Sequence, residues 1–597
     1  MHHRLKEGRR ATLSTKKAKD MKGTMRRIWQ YMAKEKGLFF LVMVMILISS
    51  ALALIGPYLL GVAVDGVISG WGGEQLFPML AWLVLIFTLQ SGAIFFQNYW
   101  MIGIAQNVVF FMRNHLFSHL QSLPVAFFQK RQHGELMSRL TNDMENVSRT
   151  LNAAVIQVIT STLTLIGTII VMLFLSPLLT FLTLLIVPVL FAGMKWITNR
   201  TGAYFKEQQR ELGDMNGYIE ETISGQKIIK MYSQESRVIE EFEEKNEALR
   251  VSSYWAQTYS GFIPKLMNML NNVSFTIIVG VGGILALKGA VSIGVIVTFT
   301  TYSRQFTRPL NDLANQFNMI LSAIAGAERV FQIMDEEKEA VDETEAVDIS
   351  SLDGDIVFEH VSFSYEEDVA TLKNVSFHAA PGQTVALVGP TGAGKTTVIS
   401  LLSRFYDSDE GTIFVDGEDI KNITRRSLRK QTAFVLQDSV LFRTSVRENI
   451  RYGNLIATDE EVVEAAKKAN AHDFIIKLPD GYDTVLSSEG SDLSHGQRQL
   501  LSIARAMLAD PSLLILDEAT SSIDTITEMK ITDALTKLME GRTSFVIAHR
   551  LNTIQNADLI IVLKDGQVIE QGTDRSLLEK NGFYAELVRS QRQKGIS

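Results

Sequence analysis

The run Gly389-Pro390-Thr391-Gly392-Ala393-Gly394-Lys395-Thr396-Thr397 has the G-x-x-x-x-G-K-[ST] spacing of a phosphate loop, and it directly follows the apolar stretch Thr384 to Val388. That stretch predicts a buried strand. Glycines let successive backbone N–H groups curl around phosphate oxygens, Lys395 brings a mobile cation, and Thr396 offers a hydroxyl to Mg²⁺. The helix expected to start near Lys395 points its positive end at the same anion. Further along, Leu513-Leu514-Ile515-Leu516-Asp517-Glu518 reads as a second buried strand ending in two carboxylates. At the carboxyl edge of an α/β sheet, Asp517 is placed to hold the metal. Glu518, one residue on, is placed to orient or deprotonate an attacking water.

These groups need a frame, and the rest of the chain supplies an unusual one. With 597 residues and 46% hydrophobic composition, it is too long for one domain and too apolar for an ordinary soluble protein. Six nearly charge-free stretches, Leu38–Val64, Phe77–Gly103, Val155–Leu175, Leu178–Ile197, Phe262–Leu287 and Ile293–Leu310, read as membrane spans. The last is interrupted near its end by Arg304 and Arg308. Lys and Arg crowd the segment from Arg4 to Lys36 against only Glu7, Asp20 and Glu35, which predicts a cytoplasmic N-terminus. An even number of spans returns the C-terminal half to the cytoplasm. Short loops at Asp65–Glu74, Ser176-Pro177 and Lys288–Val291 then lie outside, while the long segments Ala105–Ala154 and Thr198–Gly261 lie inside. The expected organisation is an α-helical transmembrane domain over 1–334, an acidic linker over 335–353, and an α/β P-loop ATPase domain over 354–597. Cysteine is absent, which excludes disulfides and thiolate metal sites. The net charge of −7 averages a basic membrane end and an acidic remainder.

Further motifs resemble those of ATP-binding-cassette transporters, and the spans ahead of them resemble the exporter branch. Leu493-Ser494-His495-Gly496-Gln497 is similar to that family's Leu-Ser-Gly-Gly-Gln signature, which binds the ATP of a second nucleotide domain. The resemblance implies an ATP site formed by Tyr365 stacking on adenine, by Gly389, Pro390, Thr391, Gly392, Ala393, Gly394, Lys395, Thr396 and Thr397, and by Gln437. It makes Glu518, His549 and Lys395 catalytic and assigns Mg²⁺ to Thr396, Gln437 and Asp517. Asp524 would lie in the loop that meets the opposite domain. Tyr365 alone could pack on a sheet face and His549 alone could cap a strand; motif order selects the other roles. Phe128 to Asp143 resembles the first coupling helix of exporters, and a second would lie near Asp214–Gln226.

The family's implied activity is ATP-driven export across the cell membrane, with a second half-transporter, membrane lipid and a hydrophobic small molecule as partners and no nucleic acid. A multidrug-type cargo is expected; a lipid flippase, or less readily an ATP-gated channel or regulator, is the alternative. Gln90, Gln97, Asn98, Gln157, Tyr302, Arg304, Gln305 and Arg308 are candidates for a cavity lining, because polar groups at membrane depth tend to face the bundle interior. Amides there also tie helices together. One departure bears on assembly: His495 stands where the signature has its first glycine, so a side chain occupies a place of close phosphate approach. The phosphate loop and Glu518 are intact. The chain therefore resembles the consensus-site subunit of a heterodimeric exporter, whose partner is expected to lack the glutamate that matches Glu518; a tolerated substitution within a homodimer is the alternative.

Overall fold

The structure is a computed structural model describing residues 20–594, except 366–368, 437–438, 488–489, 491, 518–523 and 548–553. It divides into two compact units. One joins the residues up to Ser122 to Arg131–Glu336; the other joins Leu123–Lys130 to Glu337–Ser597.

The first unit is helical: α1 (Met21–Met32), α2 (Lys36–Ile68) and α3 (Gly73–Leu120) precede a short α4 (Val125–Gln129) that belongs to the second unit. Then follow α5 (His133–Leu175), α6 (Pro177–Ser224), α7 (Glu235–Leu287) and α8 (Ile293–Met334). Their burial pattern is inverted relative to a soluble protein. In the most apolar windows of the five helical stretches ending at Ile68, Leu120, Leu175, Ser224 and Leu287, only 17–22% of residues are buried. Phe40, Phe77 and Phe174 are largely exposed. Apolar surface on this scale needs lipid as its solvent. What these helices bury against one another is often small: Ser49, Ser50, Gly56, Gly61, Ala63 and Gly66 on α2. Without a hydrophobic drive between helices in lipid, small residues let backbones approach closely.

The tightest such approach joins α2 to the start of α8. Asp65 on α2 accepts a hydrogen bond from the Gly294 N–H at 2.6 Å and one from the Ser292 hydroxyl at 2.5 Å, placing a carboxylate at the positive end of α8. A Cβ added to Gly294 would lie 2.0 Å from the Gly61 carbonyl oxygen. Gly294→Val is accordingly expected to cost about 1–3 kcal/mol or more through overpacking. This should appear as a lower thermal-unfolding midpoint in detergent. Gly280→Val, at a position with nothing within 4 Å, should leave the midpoint in place.

Among the described residues, five helical stretches are long and apolar enough to cross a membrane, against the six spans expected. The sixth candidate, α8, is a single helix of 42 residues packed on α2, α5 and α7. It falls short on composition because its middle carries Arg304, Gln305 and Asp312. These polar groups line a cavity, as described below.

The second unit is α/β. A four-stranded antiparallel sheet, ordered β2-β1-β4-β5, is built from β1 (Ile356–Ser364), β2 (Ala370–Ala379), β4 (Glu410–Val415) and β5 (Glu418–Asp419). A six-stranded sheet is ordered β10-β9-β3-β8-β7-β6. Its parallel members are β3 (Thr384–Val388), β6 (Thr432–Val435), β7 (Leu513–Asp517), β8 (Thr543–Ile547) and β9 (Leu559–Lys564); β10 (Gln567–Gly572) closes one edge antiparallel. Strand β3 shows why near-continuous apolar runs mark such strands. Ala386 and Val388 join one core, and Val385 and Leu387 join the other, so both faces are covered. Helices α9 (Lys395–Leu402), α10 (His495–Ala509) and α11 (Thr525–Met539) complete the frame of the site.

Candidate functional site

Strand β3 runs into the phosphate loop and the loop into α9, the strand–loop–helix context the spacing predicts. The turn demands glycine at two positions. Gly389 has φ +155°, and a Cβ there would lie 2.1 Å from the Leu563 carbonyl oxygen. Gly394, at φ +103°, caps α9, and a Cβ would lie 2.5 Å from a Leu372 methyl. Gly392, at φ +84°, has nothing within 4 Å where its Cβ would be, so the loop is open on that side. In the first turn of α9 the N–H groups of Lys395, Thr396 and Thr397 have no backbone acceptor, as expected for a helix start. This cradle fits an anion.

Lys395 lies folded over its own loop. The residue is 8% exposed, and its ammonium donates to the carbonyls of Gly389 at 2.8 Å and Pro390 at 3.0 Å. Burial lowers its pKa below the ordinary lysine value, and the Asp517 carboxylate works in the opposite direction. That coupling brings together the two motifs separated in sequence, the loop after β3 and the carboxylate ending β7. Thr396 is exposed and Asp517 half-buried. Among the described residues no three His, Cys, Asp or Glu side chains gather into an all-protein metal cage. A hydroxyl and one carboxylate beside a phosphate cradle is a donor set that suits Mg²⁺, which completes its shell with phosphate oxygens and water.

Tyr365, at the end of β1, reaches the same place. Its hydroxyl donates to the Thr397 hydroxyl at 3.2 Å, and its ring meets Phe363 and Tyr406 edge-on at 4.9 and 5.0 Å between centroids. Tyr406 is a residue that motif reading missed. Its hydroxyl donates to Gln129 Oε1 on α4 at 2.7 Å, tying the segment read as a coupling helix to the aromatic cluster beside the phosphate loop. Burial, with a smaller contribution from Tyr365, pushes the Tyr406 phenol up. The only sequence signal was an aromatic pair, Phe405-Tyr406, shortly after α9.

The signature segment starts α10. Ser494 caps the helix, accepting from the Gln497 N–H at 3.2 Å while Gln497 Oε1 accepts from the Ser494 N–H at 2.9 Å. This reciprocal capping box fixes the helix start. His495 is its first helical residue and half-buried, Gly496 is buried, and His495 is not among the described residues with positive φ. The fold of this chain therefore does not require glycine at 495. Asp524 caps α11 by accepting from the Thr527 N–H at 3.0 Å, and hydrogen bonding to Thr527 holds its carboxyl below the usual range. Gln437, Glu518 and His549 lie outside the described residues.

In the membrane unit, the structure brings Gln157, Arg304 and Gln305 to one cavity of about 570 Å³. Three other candidates serve as ties between or within helices. Gln97 accepts from the Ser49 hydroxyl at 3.1 Å, Tyr302 donates to the Leu54 carbonyl, and Asn98 donates to Ile94 of its own helix. The side chain of Arg308 lies outside the described residues.

Comparison with known proteins agrees with this architecture. The family profile for the ABC transporter transmembrane region matches residues 39–310, and the profile for the ABC transporter matches residues 372–521. The chain is 60% identical over 578 residues to the uncharacterized ABC transporter ATP-binding protein YfiC of Bacillus subtilis (strain 168), covering 97% of this chain and 96% of that protein. It is 40% identical over 479 residues to a fatty acid ABC transporter ATP-binding/permease protein of Mycobacterium bovis, covering 80% and 76% of the two chains. A solved bacterial Atm1-family ABC exporter with ATP bound superposes with a TM-score of 0.73 at 29% identity, covering 93% of this chain and 98% of that one. A membrane unit of lipid-facing helices and an ATPase unit with its phosphate loop on β3 thus stand in one sequence, and the chain belongs to the ABC transporters, within their exporters.

Proposed function

We propose that this exporter moves hydrophobic or amphiphilic compounds outward across the cell membrane, as one half of a heterodimer. ATP sits on the loop from Gly389 to Thr397 with its adenine on Tyr365. Mg²⁺ is held by Thr396, Gln437 and Asp517, Glu518 is the base, and His549 stands by the γ-phosphate. His495 carries the heterodimer reading: an imidazole-bearing residue at the N-terminus of α10, where the exporter signature has glycine, beside an intact phosphate loop. The signature formed by Ser494, His495, Gly496 and Gln497 would serve the partner's ATP, with Asp524 at the junction. A lipid cargo is the second reading, favoured by the relative named for fatty acid transport. Cargo-stimulated ATP hydrolysis together with ATP-dependent dye uptake by inside-out vesicles tests export. Ion conductance gated by ATP without vectorial uptake would replace the exporter with a channel.

Orientation has its own test. Single cysteines at Gly72 and Lys288, both exposed, should react with an impermeant reagent from outside intact cells. Cysteines at Glu135 and Glu410 should react only after permeabilisation. Ser176 belongs to a predicted outside loop but is 7% exposed and caps the start of α6, so it makes a poor reporter. The opposite labelling pattern overturns the cytoplasmic assignment of the N-terminus.

A further inference from the structure

We infer that the cavity among α5, α7 and α8 seats the anionic headgroup of an amphiphile, with the Arg304 guanidinium as its counter-charge. This rests on the exporter reading and names the cargo's headgroup.

The cavity has the size of a small-molecule site, about 570 Å³, and three helices supply its walls. Its lining is polar for its place in the fold. Charged groups at membrane depth are costly and are kept where they face a partner or a water-filled path. Among the described residues two charges line it, Arg304 and Asp312, and they are provided for differently. Asp312 Oδ2 accepts from the Gln157 amide at 2.9 Å, and that amide also donates to the Ser161 hydroxyl at 3.2 Å. Arg304 is exposed and forms no ion pair or hydrogen bond among the described residues; its guanidinium carbon stands 5.7 Å from the centroid of Phe275. The charge left without a polar partner is therefore the cation.

Two further groups on the wall await partners. Gln305 Oε1 and Thr160 Oγ1 are buried with no hydrogen-bond partner among the described residues. A buried polar atom left unpaired costs more than a hydrogen bond returns, so such atoms take water or a ligand. A purely apolar cargo leaves Arg304, Gln305 and Thr160 all unpaired, and a cationic headgroup sets like charges together. A phosphate or carboxylate group meets the planar fork of Arg304 with two oxygens. The Thr160 hydroxyl can donate to that anion, and the Gln305 oxygen can accept from a headgroup hydroxyl or a bridging water. Phe275 supplies an apolar wall to the same space.

The test uses the purified full-length chain in nanodiscs of zwitterionic lipid, with four fluorescent probes sharing one alkyl tail. They end in a phosphate, a carboxylate, a trimethylammonium or a hydroxyl group, and binding is corrected against empty nanodiscs. The phosphate or carboxylate probe should bind roughly 10-fold tighter than the alcohol, the worth of one good charge-assisted pair. Arg304→Gln should erase that preference and Arg304→Lys should keep part of it. The comparison among probes on the unaltered chain needs no variant to fold. If the trimethylammonium or alcohol probe binds as tightly as both anions, the inference is overturned. The same probes in inside-out vesicles separate it from the exporter reading. Preferential binding of an anion with uptake of none of the four supports the headgroup site and removes export. Uptake of the cation or alcohol with neither anion bound keeps export and removes the headgroup site.

Discussion

Lys395→Ala should abolish ATP turnover and weaken nucleotide binding, whereas Glu518→Gln should leave binding nearly intact and slow hydrolysis by ~10²-fold or more, the usual worth of a positioned base. The two variants remove different things. Lys395 is buried among loop carbonyls, where its ammonium bonds the Gly389 and Pro390 oxygens, with the Asp517 carboxylate nearby. Phosphate oxygens carry full charge where those carbonyls carry partial charge, so the ammonium gains by turning to them, and the alanine variant forfeits that gain. The open N–H groups at the start of α9 remain in both variants and account for residual binding. Glu518 follows Asp517, the last residue of β7, by one position, and as the proposed base it would act on water, not on bound phosphate. Equilibrium binding of a fluorescent ATP analogue and single-turnover hydrolysis, measured side by side, distinguish the roles. Equal loss of binding in both variants would refute them.

The parts of this molecule that were legible in its sequence are those in which physics is local. The phosphate loop could be placed because strand, glycines and helix start occupy one short stretch, and the glycine at 394 is demanded by a backbone at φ +103° within it. Span positions followed from apolar length alone. What escaped depends on partners far apart in the chain. Tyr406 and Gln129, 277 residues apart, carry no sign in either segment that they will bond. Arg139 and Asp143 lie in the segment that resembles a coupling helix, and nothing local marks them as buried, yet both are. Arg329 on α8, 186 residues from Asp143, bonds the Asp143 carboxylate, and Arg139 donates to Glu135 and to the Arg329 carbonyl. Hydropathy undercounted α8 for a related reason. Arg304, Gln305 and Asp312, which lower its hydropathy, line a cavity, and facing is a property of the assembled bundle. The list of cavity candidates likewise mixed Arg304, which lines that cavity, with Gln97 and Tyr302, which hold helices together.

In the complex of this chain with its partner subunit, Glu518→Gln alone should stop nearly all steady-state hydrolysis, and the matching change in the partner should alter the rate by only a small factor. The argument starts from the start of α10. Ser494 and Gln497 satisfy each other's backbone N–H groups, and His495 occupies an ordinary first helical position, so this chain's fold does not require glycine there. The consequence of the imidazole falls outside the chain. In exporters the signature of one subunit faces the phosphate loop of the other, and glycine at this position allows backbone to approach phosphate without an intervening Cβ. On the heterodimer reading, a side chain there would impair the site holding the partner's ATP. On the proposed heterodimer, the site holding this chain's own ATP would combine Lys395, Asp517 and Glu518 with the partner's signature and be left whole. A site with a poor signature gains little from a good base, so the partner is expected to lack a glutamate at the position matching Glu518. Changing His495 to glycine should then raise hydrolysis little, because the second defect remains. Steady-state ATP hydrolysis of the purified pair, with each substitution introduced separately, reads all three. Comparable losses from the two base positions, or full activity from this chain purified alone, would make His495 a harmless variant in a symmetric dimer.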